Sequence, residues 1–324
     1  METLTKSFPV TCEKCGVSCK RFGKHRNGLQ RFRCRMCGAT YTEEHKTPFR
    51  VEDYLGEPKG IMAIQLLVEG CSVRTVERIT GIHRDAILKM LVVAGERCEA
   101  LLDTQIRSIP VKDVEADEIW AYVGMKEKNK KGENAYNDEL GDCYCWVAIE
   151  RNTKLVLAYV VGRRDLQNAF RLMRKLRTAT SPLQRFQLTS DGLKAYETAV
   201  DEILSDRCDF AQLIKIYASP REGEVRYSPA EVVEAVPVIV SGNPNPGRIC
   251  TSYIERQNLT MRMDIRRLTR LTNAFSKKFE NHKAAIALHF AYYNFVKIHQ
   301  TLRVTPAMEA GITDHVWTIA ELLA

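Results

Sequence analysis

The sequence predicts an α/β protein in which a mixed β-sheet with flanking helices follows a small metal-binding module and a helical module. Three observations predict this fold class. Two Cys-x-x-Cys pairs lie near the start, helical periodicity follows them, and strand-like apolar runs alternate with amphipathic helices over residues 111–216. The chain of 324 residues is long enough for two or three domains. We predict domains at 1–50, 51–110 and 111–300, with an insertion at 218–250 and a helical tail at 301–324.

Charge and cysteine usage limit the partners and the compartment. The net charge is +8, and residues 1–50 alone hold eleven Lys and Arg against four Glu. Clustered positive charge favours a polyanion, here double-stranded DNA, as the partner. Eleven cysteines at uneven spacing argue against a disulfide framework and favour a reducing compartment. With no secretory leader and no apolar run near ~18 residues, we expect a cytoplasmic protein without a membrane span.

The first module has the spacing of a zinc ribbon. Cys12-x2-Cys15 is followed after eighteen residues by Cys34-x2-Cys37, and a glycine follows each pair. Four thiolates at this spacing can hold one structural Zn²⁺ tetrahedrally. Arg31 and Arg33, interleaved with phenylalanines, are candidate DNA contacts. A purely structural role for the module and a redox role remain alternatives, although no thioredoxin-like βαβ context supports the redox role.

Residues 58–101 have the pattern of a helix-turn-helix. Ser72 is placed to cap a short helix, Gly81-Ile-His83 forms a tight turn, and Arg84–Ala94 is the candidate recognition helix. The alternative is an ordinary small helical bundle. The candidate DNA contacts in this module are Arg78, Arg84 and Lys89.

The pattern of residues 111–216 predicts an RNase H-like core. Three strands, a helix, a strand, a helix and a last strand follow one another, which is the order of that fold. Asp117 lies on the first of these strands and Asp191 just past the fourth. Because ligands gather at strand ends in open α/β sheets, the two acids can lie side by side. Glu118 is a rival for Asp117, but adjacent strand residues face opposite ways, so we expect one of them to serve.

A third acid heads a basic segment. Residues 218–250 are rich in Gly and Pro turn signals and are predicted to be a loop insertion that delivers Glu255 onto the first turn of a helix. From Arg256 to Lys278 seven Lys and Arg oppose one Asp. Helical spacing predicts Glu255, Arg262 and Arg266 on one side. A solvated face is the alternative to DNA contact for the arginines of this segment, Arg256, Arg262, Arg266, Arg267 and Arg270.

Several separated motifs resemble the IS1-type insertion-sequence transposases of the DDE family. They are Ser252-Tyr-Ile-Glu-Arg-Gln-Asn258, Arg266-Arg-Leu-Thr-Arg270 and Phe275-Ser-Lys-Lys278, with Asp117 and Asp191 in their contexts. The resemblance covers most of residues 111–310 and, more loosely, the zinc ribbon.

The resemblance implies an enzyme that binds terminal inverted repeats and catalyses DNA cleavage and strand transfer in the bacterial cytoplasm, at the nucleoid. It implies that Asp117, Asp191 and Glu255 are catalytic and hold two Mg²⁺ (or Mn²⁺) ions, with Asp117 bridging both. It also implies a homodimer or a higher homo-oligomer. A DNA-binding regulator with an inactive core and an RNase H-like nuclease remain alternatives, although the intact acids argue against the regulator.

Overall fold

The computed structural model describes residues 10–25, 28–43, 51–218, 232–269 and 272–324. Arg270, one of the predicted DNA contacts, lies outside the described residues. The chain divides into two compact units, residues 1–50 and residues 51–324. The predicted division of the second unit at 110 and 300 stays a prediction.

The first unit has the architecture expected of a zinc ribbon. Within its described part, strands β1 (Cys19–Lys24), β2 (Gln30–Cys34) and β3 (Thr40–Thr42) form an antiparallel sheet in chain order. Each Cys-x-x-Cys turn closes through a glycine with positive φ, 67° at Gly16 and 72° at Gly38. Glycine is favoured there because side chains with a Cβ rarely adopt that conformation. The two turns therefore bring the four thiols together.

The second unit begins with a helix-turn-helix, as predicted. Helices α1 (Val51–Leu55), α2 (Pro58–Val68), α3 (Val73–Thr80) and α4 (Arg84–Gln105) follow in order. The Ser72 hydroxyl accepts a hydrogen bond from the Thr75 backbone N–H at 3.1 Å and so caps α3. Gly81 ends α3 at a φ of 73°. The candidate recognition helix does not end at Ala94 but continues without a break to Gln105.

The central sheet confirms the RNase H-like prediction. Six strands of the described chain order as β6-β5-β4-β7-β8-β9. Strand β5 pairs antiparallel with both β4 and β6. Strand β7 pairs parallel with both β4 and β8, and β9 pairs antiparallel with β8. Helices α5 (Leu166–Ala179) and α6 (Lys194–Leu204) make the crossovers. The strands are β4 (Asp113–Val123), β5 (Gly141–Glu150), β6 (Val156–Gly162), β7 (Phe186–Ser190), β8 (Cys208–Tyr217) and β9 (Val232–Ser241).

The prediction of a loop insertion at 218–250 is wrong in part, because strand β9 lies within that segment. This strand pairs with β8 at the edge of the sheet, with Pro237 opposite Leu213. Proline cannot donate a ladder hydrogen bond, so a strand that contains one is tolerated at an edge. The rest of the segment from 242 to 251 is irregular except for a 3-10 turn at Pro246–Arg248.

The helix that carries the third acid is shorter than the sequence predicts. Helix α7 runs from Ser252 to Asp264, and a separate 3-10 turn follows at Arg266–Leu268. The prediction that Arg266 shares a helical face with Glu255 is therefore wrong. The remaining helices are α8 (Phe279–Phe295), α9 (Pro306–Glu309) and α10 (Ile319–Leu323).

Helices α4 and α8 pack against each other and so connect the helix-turn-helix to the rest of the second unit. A Cβ on Gly95 of α4 would lie 2.4 Å from the Cα of Ala284 on α8. The two helices can approach this closely because one has no side chain at the crossing and the other has only a methyl group. Within the described residues, no helix is both long enough and apolar enough to cross a membrane.

Candidate active site

The parallel pairing of β4 and β7 brings two of the predicted acids together. Ala116 on β4 pairs with Ser190 on β7, so the next residue of each strand, Asp117 and Asp191, lies at the same edge. Beyond that point β7 ends, while β4 continues alone on this side. Asp117 and Asp191 line one cavity of about 320 Å³. Their closeness follows from the register of the sheet.

A third carboxylate belongs to the same group. Single oxygens of Asp117, Glu118 and Asp191 all lie within 4.8 Å of one another. Glu118 projects from the opposite face of β4, where it pairs with Arg164 and accepts a hydrogen bond from the Tyr196 hydroxyl at 3.1 Å. Strand alternation is obeyed, but Asp191 lies past the end of β7, and its carboxylate comes near the acids of both faces. The expectation that one of the two β4 acids serves as a ligand stays a prediction.

Glu255 opens onto the same cavity but has other partners. Its side chain is 44% exposed, and its carboxylate accepts a hydrogen bond from the Thr251 hydroxyl at 2.6 Å and pairs with Lys215 of β8. The Lys215 ammonium also acts on Asp191, because its charge opposes the rise in the pKa of that carboxyl. A side-chain cation therefore lies among acids that could otherwise ligate a metal ion. Glu255 is not in the group of three carboxylates whose oxygens approach within 4.8 Å.

Side chains on one face of β4 hold α7 in position beside the cavity. Asp113 pairs with Arg248, and the Glu115 carboxylate accepts hydrogen bonds from the backbone N–H groups of Tyr253 and Ile254 at 2.9 and 3.0 Å. Asn258 of α7 donates its amide to Asp117 at 2.8 Å. The buried Glu115 therefore caps the first turn of a helix that is distant in sequence. Sequence patterns miss this role because cap motifs are local.

Burial and crowding raise the pKa values of the acids. The pKa of Asp117 rises to about 7, first because the carboxyl is buried and then because Glu118, Asp191 and Glu255 are negative. Burial also raises the pKa values of Asp191 and Glu118. Crowded carboxylates repel one another, and a divalent cation with a preference for hard oxygen ligands would relieve that repulsion. The residues present therefore fit a divalent metal site.

Family comparisons match two adjoining parts of this core. A DDE domain matches residues 139–221, which contain Asp191, and an IS1 transposase domain matches residues 243–296, which contain Glu255. Asp117 precedes both matched ranges. These matches support an IS1-type DDE transposase, which is a polynucleotidyl transferase.

A curated relative extends the match. The chain is 26% identical over 181 residues to the insertion element iso-IS1n protein InsB of Shigella dysenteriae. The alignment covers 56% of this chain and 95% of that protein.

Solved structures similar to the transposase include two complexes of Mos1. They are the Mos1 strand transfer complex, at 12% identity and a TM-score of 0.20, and a Mos1 paired-end complex with the left transposon end, at 13% and 0.19. Each match covers 52% of this chain and 60% of the Mos1 chain. The match therefore covers less than two thirds of the length of each Mos1 chain.

The four predicted zinc ligands of the transposase converge in its first unit. Sulfur atoms of Cys12, Cys15, Cys34 and Cys37 lie within 4.8 Å of one another. The Tyr41 hydroxyl lies 3.1 Å from the sulfur of Cys12, and this hydrogen bond is the main reason that the pKa of Cys12 falls to about 6. Four sulfur ligands at this separation suit a closed tetrahedral site, so the cluster could bind zinc.

The predicted DNA contacts differ in exposure. Burial lowers the pKa of Arg267 to about 10, and its guanidinium donates to the Ser276 hydroxyl at 3.3 Å, so this side chain is directed inward. Arg31 and Arg33 both lie over the Phe22 ring, at 5.5 and 5.1 Å from its centroid. Arg262 is half-buried and donates to the Leu268 carbonyl. Among the predicted DNA contacts, the side chains that are exposed are those of Arg33, Arg78, Arg84, Lys89, Arg256 and Arg266.

Proposed function

We propose that this IS1-type transposase binds the terminal inverted repeats of its insertion sequence and catalyses Mg²⁺-dependent strand cleavage and strand transfer. One observation carries the proposal. Asp117, Asp191 and Glu255 come from three elements that are far apart in sequence, yet they line one cavity. In this proposal residues 1–50 and 51–110 hold DNA, residues 111–300 carry the chemistry, and residues 301–324 form the helical tail.

Asp117, Asp191 and Glu255 would hold two Mg²⁺ (or Mn²⁺) ions, with Asp117 shared by both and Asp191 and Glu255 each serving one. When bound, such a pair supplies activation of the entering oxygen and stabilisation of the leaving oxygen. Glu118 is less suited as a ligand because Arg164 and Tyr196 already engage its two oxygens. Lys215 would release Glu255, while Thr251 keeps that carboxylate directed at the cavity.

In this proposal the exposed Arg and Lys side chains bind the DNA. Both the ribbon and the helix-turn-helix present exposed Arg and Lys, and α7 adds Arg256 close to the acids. The partner is double-stranded DNA, both transposon end and target, and two ends handled together require a homodimer or a larger homo-oligomer. One Zn²⁺ completes the ribbon. The bacterial cytoplasm at the nucleoid is the proposed location, and in that reducing compartment the seven cysteines outside the zinc cluster would remain free thiols.

Asp191→Asn tests the proposal. The parent is expected to cut and join a DNA fragment carrying the element's ends in Mg²⁺, and the variant to lose at least ~10³-fold of both activities while it still binds DNA. Asp201→Asn, which removes an exposed acid of α6, is the matched control and should react like the parent. Cutting without joining by the parent would indicate a nuclease. DNA binding by the parent with neither reaction would indicate a regulator.

Removing the exposed arginines of the segment that follows Glu255 should reduce the salt dependence of DNA binding. For Arg256→Ala combined with Arg266→Ala, we expect weaker binding and a logarithmic salt slope smaller by about 1 for each lost phosphate contact. Arg185→Ala is the control, because Arg185 precedes β7 while Asp191 follows it, and Arg185 is paired with Asp209. Equal salt slopes for the double variant and the parent would contradict DNA contact by these residues.

A further inference from the structure

A row of half-buried aromatic side chains leads away from the carboxylates on one face of β4. Residues 118, 120 and 122 project from the same face because strand residues alternate, so Trp120 follows Glu118 at a spacing of about 7 Å. The Trp120 and Tyr122 rings are 5.7 Å apart, and Phe275 adds a third ring 4.7 Å from Tyr122. Tyr144 of β5 pairs directly with Trp120 and therefore joins the same face.

The row is continuous with the acids, yet its exposure differs from that of the core. Next to Glu118, Trp146 and Tyr196 pack edge to face at 5.5 Å and are fully buried. One step further along the strand, the four rings of Trp120, Tyr122, Tyr144 and Phe275 are only partly covered. Tyr144 also lies within electrostatic reach of Arg164 and Glu118. The aromatic row therefore begins at the acid cluster and becomes accessible to solvent as it leaves it.

Two exposed lysines border the aromatic row. The Lys126 ammonium lies 5.7 Å from the Trp120 ring centroid and 5.9 Å from that of Tyr122, and the Lys277 ammonium lies 3.0 Å from that of Phe275. Aromatic faces beside mobile cations form the surface on which proteins stack unpaired bases and hold the phosphates between them.

We propose that Trp120, Tyr122, Tyr144 and Phe275 form a stacking platform for unpaired DNA bases next to the phosphate that reacts, with Lys126 and Lys277 contacting the flanking phosphates. This inference rests on the proposed function, because it takes the carboxylate cavity as the place of reaction. The platform holds strand ends that have left the duplex and keeps them beside Asp117 and Asp191.

The test compares two DNA probes. One is a blunt duplex, and the other is the same duplex with a short single-stranded tail that carries a fluorescent adenine analogue at its first unpaired base. Without added divalent ion, the parent should bind the tailed probe about tenfold more tightly than the blunt one and quench the analogue. Trp120→Ala and Tyr122→Ala should each remove most of that preference and of the quenching, while affinity for the blunt duplex stays unchanged.

Two further variants separate stacking from folding. Trp120→Phe keeps an aromatic face and should retain most of the preference, whereas Tyr136→Ala, which removes a ring that is 93% exposed elsewhere on the surface, should change nothing. Equal affinities of the parent for the two probes, or equal losses on both probes in Trp120→Ala, would overturn the platform but leave the transposase proposal intact. A parent that binds neither probe would overturn both.

Discussion

Asp117→Asn is expected to abolish strand transfer and, at the same time, to stabilise the folded protein above neutral pH. The loss of activity should be at least ~10³-fold, because the variant loses the proposed bridging ligand. The gain in stability has a separate cause. Folding raises the pKa of the Asp117 carboxyl from its ordinary 3.8 to about 7, so the fold disfavours its charged form.

The direction of the pH dependence follows from proton binding. Between the ordinary pKa and about 7, the folded state holds a proton on Asp117 that the unfolded state has lost, so the free energy of unfolding decreases as pH rises through that window. Above it the carboxylate is charged in both states and the full penalty applies, up to about 4 kcal/mol for a change of about 3 in pKa. Asparagine carries no charge, and its side-chain oxygen can still accept the hydrogen bond from Asn258. We expect about 1–3 kcal/mol of the penalty to be recovered.

Urea unfolding of the parent and Asp117→Asn near pH 8 and near pH 5, each with and without Mg²⁺, measures these effects together. Mg²⁺ should stabilise the parent near pH 8, do little near pH 5, and do little for the variant at either pH. His282 and His289 are buried with pKa values lowered to about 3, so they also make the parent pH-sensitive, but they are common to both proteins and cancel in the difference. Asp201→Asn again serves as the control. A variant that is less stable than the parent near pH 8, or one that Mg²⁺ stabilises equally, would contradict this account.

The order of the core elements could be predicted because each has a clear period and a clear end. The three apolar strands, the amphipathic α5 and the strand that stops at Ser190 give the RNase H-like order directly. The sequence pattern does not predict β9, although Val238, Ile239 and Val240 form a β-branched run. Proline and glycine residues in and around this run are typical of loops. A proline within such a run indicates an edge strand, which is where β9 lies.

The end of α7 carries no local signal. Residues 265–278 contain neither glycine nor proline, and the helix stops because Ile265 turns into the core, where it is 5% exposed. Tertiary burial overrides helix propensity at this point, so the continued helical face predicted for Arg266 does not form. Arg267 then directs its guanidinium inward for the same reason.

The candidate site could be predicted in its residue types more fully than in its contacts. The placement of Asp191 follows from the end of its strand, and that of Asp117 from its position on the neighbouring parallel strand of the sheet. The Lys215–Glu255 pair and the capping of α7 by Glu115 join residues that are 40 and 138 positions apart. Such pairings depend on how the elements pack, and one sequence without packing information does not contain them.

Removal of zinc is expected to unfold the first unit and leave the second unit folded. In the described part of residues 1–50, the buried apolar side chains are those of Cys12 and Cys34, which are themselves proposed ligands. A unit with so little core has almost no burial to offset its conformational entropy, so the metal must supply the folding free energy. Structural Zn²⁺ supplies about 10–16 kcal/mol in zinc-finger peptides. The second unit has its own extensive core and should melt as before.

Cys37→Ser and Cys19→Ser make a matched pair for this test. Both exchange one thiol in the same unit, but Cys37 belongs to the cluster of four and Cys19 lies outside it. We expect Cys37→Ser to lose bound zinc and the hydrogen-exchange protection of β1 to β3, and Cys19→Ser to keep both. Protection that survives chelation in the parent would refute a metal-dependent fold.

DNA affinity in the same two variants decides between a structural ribbon and a DNA-binding one. The Phe22 ring holds both Arg31 and Arg33 by cation–π contacts, and Phe22 and Arg33 lie on strands that the zinc site ties together. If these arginines contact DNA, Cys37→Ser should weaken end binding as much as Arg31→Ala and Arg33→Ala combined, because unfolding removes the contacts themselves. If the ribbon is only structural, the double arginine variant should bind like the parent. The two arginine substitutions leave the thiols untouched, so they separate the contact from the fold.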